Sequence, residues 1–124
     1  MLNVFYVAIG GAIGASLRYG IAQILPSNTF PYATLTANLL GALLIGLLMG
    51  WMGSQSTFPT KLYLLLVTGI LGGFTTFSSF VYENWVHIDK GELVPFLLYF
   101  LISNIGGLAL AIVGYRLTFN QMNL

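Results

Sequence analysis

The residues most able to do chemistry lie in one string, GILGGFTTFSSF, which runs from Gly69 to Phe80 inside a long apolar segment. Gly72 and Gly73 remove two side chains in succession. Four hydroxyl side chains follow them, from Thr75, Thr76, Ser78 and Ser79. This string predicts a break in a membrane helix that faces protein or a water-filled cavity, because backbone groups freed from a helix need partners in hydrocarbon. The alternative is an unbroken helix whose small residues allow close packing.

Two further polar side chains lie within apolar runs. Asn38 is costly in hydrocarbon unless its amide finds partners, so it is either a hydrogen-bond clamp between helices or a ligand for a permeating species. Arg18 follows Gly10 and Gly14 at intervals of four residues and therefore shares a helix face with them. It either belongs to a functional site inside the protein or extends along the helix to the membrane surface.

These residues need membrane helices to position them. The chain has 124 residues, of which 57% are hydrophobic and 6% are charged, too few charges to solvate the surface of a soluble domain. Four apolar runs, at about 2–25, 32–52, 61–85 and 94–116, each approach the length that a bilayer requires. The first run ends at a predicted turn formed by Pro26, Ser27 and Asn28. We predict an all-α membrane protein with one four-helix transmembrane domain over residues 1–124, whose third helix is broken near Gly72–Thr75.

Small residues define the faces on which these spans meet. In the second span Asn38, Ala42, Gly46 and Gly50 recur every four residues, which indicates a packing interface with an amide at one end. In the fourth span Tyr99, Ser103 and Gly107 have the same spacing, so two hydroxyls lie on one stripe. These hydroxyls either line a polar route or bond to the backbone of their own helix.

The basic residues are balanced between the two membrane faces. Four spans place both termini on one side, where Lys61 and Arg116 fall, whereas Arg18 and Lys90 fall on the other side. Orientation follows the excess of Lys and Arg in cytoplasmic loops, so a balanced chain has no strong preference. We therefore predict dual topology and an antiparallel homodimer, in which eight helices enclose what four cannot.

Composition and spacing exclude several classes of function. Four basic residues without a patch argue against a nucleic-acid partner, and the absence of cysteine excludes thiolate sites. The sequence assembles neither a nucleophile with a base nor a metal cluster, so we expect no enzyme; His87 lies in a predicted loop with acids, which is more typical of a solvated turn than of a metal site. Glu83, near the end of the third span, is the acid that comes closest to the interior, which weakens the alternative of a small dual-topology proton-coupled multidrug efflux carrier. A purely structural assembly subunit is a third hypothesis.

The string GGFTTFSSF, together with Asn38 in TANLLGALLIG and Arg18 in GASLRYG, resembles the Fluc (CrcB-type) fluoride channels over essentially the whole chain. The resemblance implies a fluoride-selective channel that lowers cytoplasmic fluoride by passive export. It also implies an antiparallel dual-topology homodimer with two pores and a structural sodium ion at its centre, embedded in the lipid of a prokaryotic cytoplasmic (inner) membrane.

The resemblance also implies roles for individual residues. The fluoride pathway would comprise Asn38, Phe77, Phe80, Tyr99, Ser103, Thr76 and Ser79. The backbone carbonyls of Gly72 and Thr75 would hold sodium, and Arg18 and Glu83 would be vestibule or structural charges. Phe77 and Phe80 are spaced to share a helix face and could present positive ring edges to an anion, although ordinary packing is the alternative. The chain departs from the family in two respects: Gly107 and Ala111 stand where the polar track of the fourth span often continues with hydroxyls, and Ser79 stands where Thr is usual.

Overall fold

The structure, a computed structural model, describes residues 2–25 and 29–122, and throughout these ranges the regular secondary structure is helical. The turn predicted at Pro26, Ser27 and Asn28 lies outside the described residues. Helix α1 spans Leu2–Ile24 and α2 spans Tyr32–Gly53. Helix α3 covers residues 60–74, α4 spans Phe77–Asp89, and α5 covers residues 93–122.

These five helices make four segments that are long and apolar enough to cross a membrane, at Leu2–Ile24, Tyr32–Gly53, Thr60–Asp89 and Leu93–Asn120. Helices α3 and α4 together form the third segment. The prediction of an all-α protein with four membrane-spanning segments is therefore confirmed. The third and fourth helical segments run past the predicted ends at residues 85 and 116, as far as Asp89 and Met122.

Helices α1 and α3 pack closely because glycines face each other across their contact. A Cβ atom on Gly10 would overlap the carbonyl oxygen of Leu65, and one on Gly14 would overlap that of Ile70. From the other side, a Cβ atom on Gly73 would meet the carbonyl oxygen of Gly11. The small-residue face predicted for the first span is thus the surface on which the third span lies.

Helix α2 packs in the same way against the second half of α5. A Cβ atom on Gly46 would overlap the carbonyl oxygen of Ala111, and one on Gly114 would meet that of Leu43. The hydroxyl of Thr118 donates to the carbonyl of Leu47 at 2.9 Å and joins the two helices near their ends. Two tight helix pairs, α1 with α3 and α2 with α5, therefore frame the middle of the protein.

Two stretches of wider, π-helical winding interrupt the regular helices. One covers Leu64–Leu71 in α3 and the other covers Ile102–Gly106 in α5. Such segments change the direction in which the neighbouring side chains point, and they are frequent at functional sites. The first ends at Leu71, just before the predicted break, and the second contains Ser103.

Alanine substitutions of two glycines in α1 test the close contact with α3. Gly14→Ala should lower the free energy of unfolding by about 1 to 3 kcal/mol, because the new methyl group has no room beside Ile70. Gly20→Ala is the matched control, since no heavy atom lies within 4 Å of its Cβ position. It should leave stability unchanged or raise it, as alanine favours a helix. Denaturant unfolding in detergent measures both variants, and equal stabilities would contradict the contact.

Candidate functional site

The third membrane segment is broken at Thr75 and Thr76, where the backbone becomes extended. Thr75 has φ −83° and ψ 156°, and Thr76 has φ −146° and ψ 117°. The amide and the hydroxyl of Thr75 both donate to the carbonyl of Leu71, at 3.0 and 2.9 Å, and close the end of α3. The hydroxyl of Thr76 accepts from the amide of Ser79 at 3.3 Å and caps the start of α4.

The break was predicted near Gly72–Thr75, and its first part is wrong. Gly72 remains helical with φ −62° and ψ −35°, and Gly73 lies within the same helical turn. The reason is that Gly73 is needed for contact with α1, where a side chain would meet the carbonyl of Gly11. The unwound residues are therefore the two threonines that follow.

The side chain of Asn38 holds the break in place. Its Nδ2 donates to the carbonyl of Thr76 at 3.1 Å, and its Oδ1 accepts from the amide of Thr76 at 2.8 Å. The side-chain amide of Asn38 thus pairs with both the N–H and the carbonyl of Thr76, which lies between the two helices. This contact is the interhelical clamp that the sequence left open as one of two roles, and one N–H of Nδ2 has no partner in it.

Arg18 caps the end of α3 from α1. Its Nε donates to the carbonyl of Gly73 at 3.2 Å, so a cation lies at the C-terminal end of a helix, where it is favoured electrostatically. The guanidinium is thus bonded to the backbone of a neighbouring helix.

The clamp diverts a hydrogen bond from the carbonyl of Gly72. In a continuous helix that carbonyl would accept from the amide of Thr76, which instead donates to Asn38. The carbonyl of Thr75 belongs to the extended backbone of the break. These two oxygens are of the type that hard monovalent cations bind, and both residues line one groove.

This central groove has a volume of about 460 Å³ and is open on one side of the protomer. The side chains that matter for its chemistry are those of Asn38, Thr76, Phe77, Phe80, Ser103 and Asn104. The structure therefore brings together most of the residues predicted for a pathway. It adds Asn104, which the sequence analysis did not single out.

The two phenylalanines of the central groove have different surroundings. Their ring centroids are 6.0 Å apart. Phe80 is 7% exposed and packs against Tyr99 edge to face and against Phe100 face to face, whereas Phe77 is 77% exposed. Phe80 is thus held by its neighbours, and Phe77 presents most of its ring outside the protomer.

A second concavity, of about 370 Å³, contains Arg18, Ser79 and Glu83 and lies apart from the lining of the central groove. We call it the Arg18 concavity. The hydroxyl of Thr76 joins the two spaces, because Thr76 lines the central groove and donates to the hydroxyl of Ser79 at 3.2 Å.

Glu83 is tied to two other helices. One carboxylate oxygen accepts from the hydroxyl of Thr34 at 2.7 Å, and the other accepts from the hydroxyl of Tyr99 at 2.7 Å. Tyr99 is fully buried, and its hydroxyl is committed to Glu83. It is therefore not brought into the lining of the central groove with the other residues of the predicted pathway. Thr34 was missed from the sequence, although it lies four residues before Asn38 on the same face of α2.

The stripe of α5 beyond Ser103 serves helix packing. A Cβ atom on Gly107 would lie 3.8 Å from the Cβ of Ala42. The backbone of Ala111 is in close contact with Gly46. Both positions bring α5 against α2 and carry no hydroxyl. The stripe therefore has no hydroxyl at the two positions after Ser103.

The end of α4 contains a part-buried contact between His87 and Glu92 and not the solvated turn that the sequence suggested. His87 is 5% exposed, and its Nδ1 lies 2.7 Å from Oε2 of Glu92. Gly91, with φ 72°, allows the tight turn between them. In the described ranges, no group of three or more His, Cys, Asp or Glu side chains could hold a metal ion.

Comparison with known proteins places this sequence in a family. The sequence profile of the family described as "CrcB-like protein, Camphor Resistance (CrcB)" matches residues 5–115. A protein of Chloroflexus aurantiacus named "Fluoride-specific ion channel FluC" is 44% identical over 120 residues, covering 94% of this chain and 95% of the relative. A protein with the same name from Thermus thermophilus is 43% identical over 94% of this chain and 95% of the relative. Another from Aquifex aeolicus is 38% identical over 92% of this chain and 94% of the relative. Since profile and relatives match nearly end to end, the chain belongs to the CrcB family.

Proposed function

We propose that this protein is a fluoride-selective ion channel and not an enzyme. The observation that carries the proposal is the match, over more than nine-tenths of the chain, to relatives named as fluoride-specific ion channels. The central groove supports it, because its polar lining consists of neutral amides and hydroxyls beside aromatic rings. Neutral donors bind an anion without trapping it, and conduction requires binding sites that an ion can leave.

Within this function, the residues of the central groove replace the water that fluoride loses. The free N–H of Asn38 and the hydroxyl of Ser103 supply donors. The hydroxyls of Thr76 and Ser79 extend this row of donors toward the Arg18 concavity. Phe77 and Phe80 supply positive ring edges. Tyr99 acts by holding Glu83, and Arg18 and Glu83 are the charges of the entrance.

A proton-coupled carrier is not supported by the position of Glu83. Such a carrier needs a carboxylate that can exchange protons with the transport route. Both oxygens of Glu83 accept hydrogen bonds from hydroxyls of neighbouring helices, so the carboxylate holds α2, α4 and α5 together.

The functional unit is an antiparallel homodimer with dual topology and two pores. The balance of Lys61 and Arg116 against Arg18 and Lys90 supports dual insertion. The open side of the central groove and the 77% exposure of Phe77 support a second copy as the missing wall. A two-fold axis in the membrane plane would relate the two copies, so the dimer would contain two such grooves.

A structural sodium ion at the dimer centre fits the donors that the break provides. The carbonyls of Gly72 and Thr75 would hold it, since the first has lost the amide of Thr76 and the second belongs to extended backbone. When bound, the ion supplies positive charge that holds carbonyls of the two copies together. Thr75 positions these carbonyls through its own bonds to Leu71.

The four membrane-spanning segments make this a multi-pass membrane protein. Its place would be the cytoplasmic (inner) membrane of a prokaryote, in contact with lipid, as the bacterial relatives suggest. There a passive channel would let fluoride leave the cell and lower its cytoplasmic concentration.

Anion efflux from liposomes tests the proposed function directly. Purified protein in vesicles loaded with fluoride or chloride should release fluoride rapidly when a potassium ionophore balances the charge, and should release chloride far more slowly. A proton gradient should not be required, because the transport is passive. Vesicles that retain fluoride as well as protein-free vesicles do would refute the channel.

Isoleucine variants of Phe77 and Phe80 test the ring edges. Phe80→Ile and Phe77→Ile keep apolar bulk and remove the aromatic edge, so each should lower fluoride flux roughly three- to tenfold. Phe5→Ile is the matched control, because Phe5 is exposed on α1 and does not line the central groove. It should keep flux near the wild-type value. The flux assay above measures all three, and unchanged flux in both groove variants would assign these rings to packing alone.

Added charge tests dual topology. Two or three lysines inserted between α2 and α3 should force one orientation, since the excess of basic residues determines which face is cytoplasmic. The wild-type protein should show tagged termini on both sides of the membrane. The charged variant should conduct only when it is produced with a copy biased in the opposite direction. Wild-type termini found on one side only would remove the antiparallel dimer.

A further inference from the structure

Asn104 lies in the middle of α5 and faces the open side of the central groove. It is roughly 16 Å along the helix axis from Leu93, at a depth where lipid would surround an outward-facing side chain. Its Nδ2 donates to the carbonyl of Phe100 at 2.7 Å, which uses one of its two N–H groups. The residue is nevertheless exposed on the protomer. Because an exposed amide at this depth is costly in hydrocarbon, its free N–H and carbonyl require a polar partner.

Ser103, the preceding residue, also lacks a partner. Its hydroxyl oxygen is buried and has no hydrogen bond in the described part of the chain. A buried hydroxyl without a partner requires an explanation, because such groups are nearly always satisfied. Ser103 and Asn104 both line the central groove, so two adjacent residues have unused hydrogen-bonding capacity beside the same space.

The π-helical winding of the backbone at Ser103 and Asn104 directs both side chains toward the groove. Ile102–Gly106 is π-helical, and both residues lie inside it. An extra residue in a helical turn lets two consecutive side chains share a direction more closely than a regular α-helix does. The local distortion thus coincides with the two unsatisfied polar groups.

The donors around this space are all neutral. Asn38 contributes its remaining N–H, and the side chains of Ser103 and Asn104 contribute theirs. The charged side chains Arg18 and Glu83 lie in the Arg18 concavity instead. The site therefore fits a small, strongly hydrated anion that must exchange water for several N–H and O–H donors.

We propose that Asn104 is an anion ligand of the pathway and, with the Ser103 hydroxyl, forms a binding site for fluoride. This inference rests on the proposed function and adds a residue to it. Gly107 and Ala111 have no hydroxyl and pack on α2, so the polar route leaves their stripe at Ser103 and passes to Asn104. The π-helical turn carries the route from one face of α5 to the next.

Three variants on α5 test the role of Asn104. Asn104→Leu keeps a similar size and removes the donors, so fluoride flux in liposomes should fall roughly tenfold or more, as expected for a lost hydrogen bond to an ion. Asn104→Ser restores a donor and should return flux to within about threefold of wild type. Asn120→Leu makes the same exchange on α5 outside the central groove and should leave flux unchanged.

The outcomes separate this inference from the proposed function. Fluoride flux in the wild type with equal flux in Asn104→Leu would overturn the ligand and leave the channel intact. No fluoride flux in the wild type would overturn both.

A measurement on the unmodified protein tests the site even if the variants fail to fold. The side-chain amide resonances of Asn104 should shift when fluoride is added to the wild-type protein in micelles, and should not shift with equal chloride. Resonances that respond to neither anion would also reject the site.

Discussion

A broken helix inside a membrane depends on partners for the backbone that it releases, and in this protein the amide of Asn38 provides them. It pairs with both the N–H and the carbonyl of Thr76, at 2.8 and 3.1 Å, as a neighbouring strand would. Without this pair, the N–H of Thr76 would be unsatisfied at a depth where water is scarce, at a cost of several kcal/mol. The free carbonyl of Gly72 follows from this contact, because the amide of Thr76 donates to Asn38 instead.

The contact can form only because the helices around it are brought very close. Gly14 and Gly73 let α1 and α3 approach until backbone meets backbone, and Gly46 and Gly114 do the same for α2 and α5. In lipid such packing replaces the hydrophobic effect as a source of stability. The two tight pairs fix the distance from α2 to the break, so a short side chain such as Asn38 can reach across it.

The sequence predicted those features that depend on composition and spacing. Length and apolar character indicated four spans, and the intervals between Gly10 and Gly14 and between Gly46 and Gly50 indicated the packing faces. It could not locate the break to the residue, because glycine serves both unwinding and close packing, and only the neighbouring helix decides between them. Here α1 occupies the space beside Gly73, so the chain unwinds after it.

Side-chain pairing across helices was likewise beyond the sequence. Tyr99 has the spacing of a polar stripe, but its hydroxyl is used by Glu83, whose second oxygen is held by Thr34. Asn104 lay outside the intervals of four along that stripe. It lies with Ser103 in the π-helical turn Ile102–Gly106, and both residues line the same groove.

The charges and the neutral donors are separated by the same set of contacts. Arg18 is bound to the end of α3 and Glu83 to two hydroxyls, so each charged side chain has a fixed structural partner beside the Arg18 concavity. The central groove keeps neutral groups such as Ser103, whose hydroxyl has no partner among the described residues. A positively charged side chain beside these donors would hold a fluoride ion too strongly to release it, and a carboxylate side chain would repel it. Under the proposed function, this separation leaves neutral donors in the groove to replace the water that fluoride loses without trapping the ion.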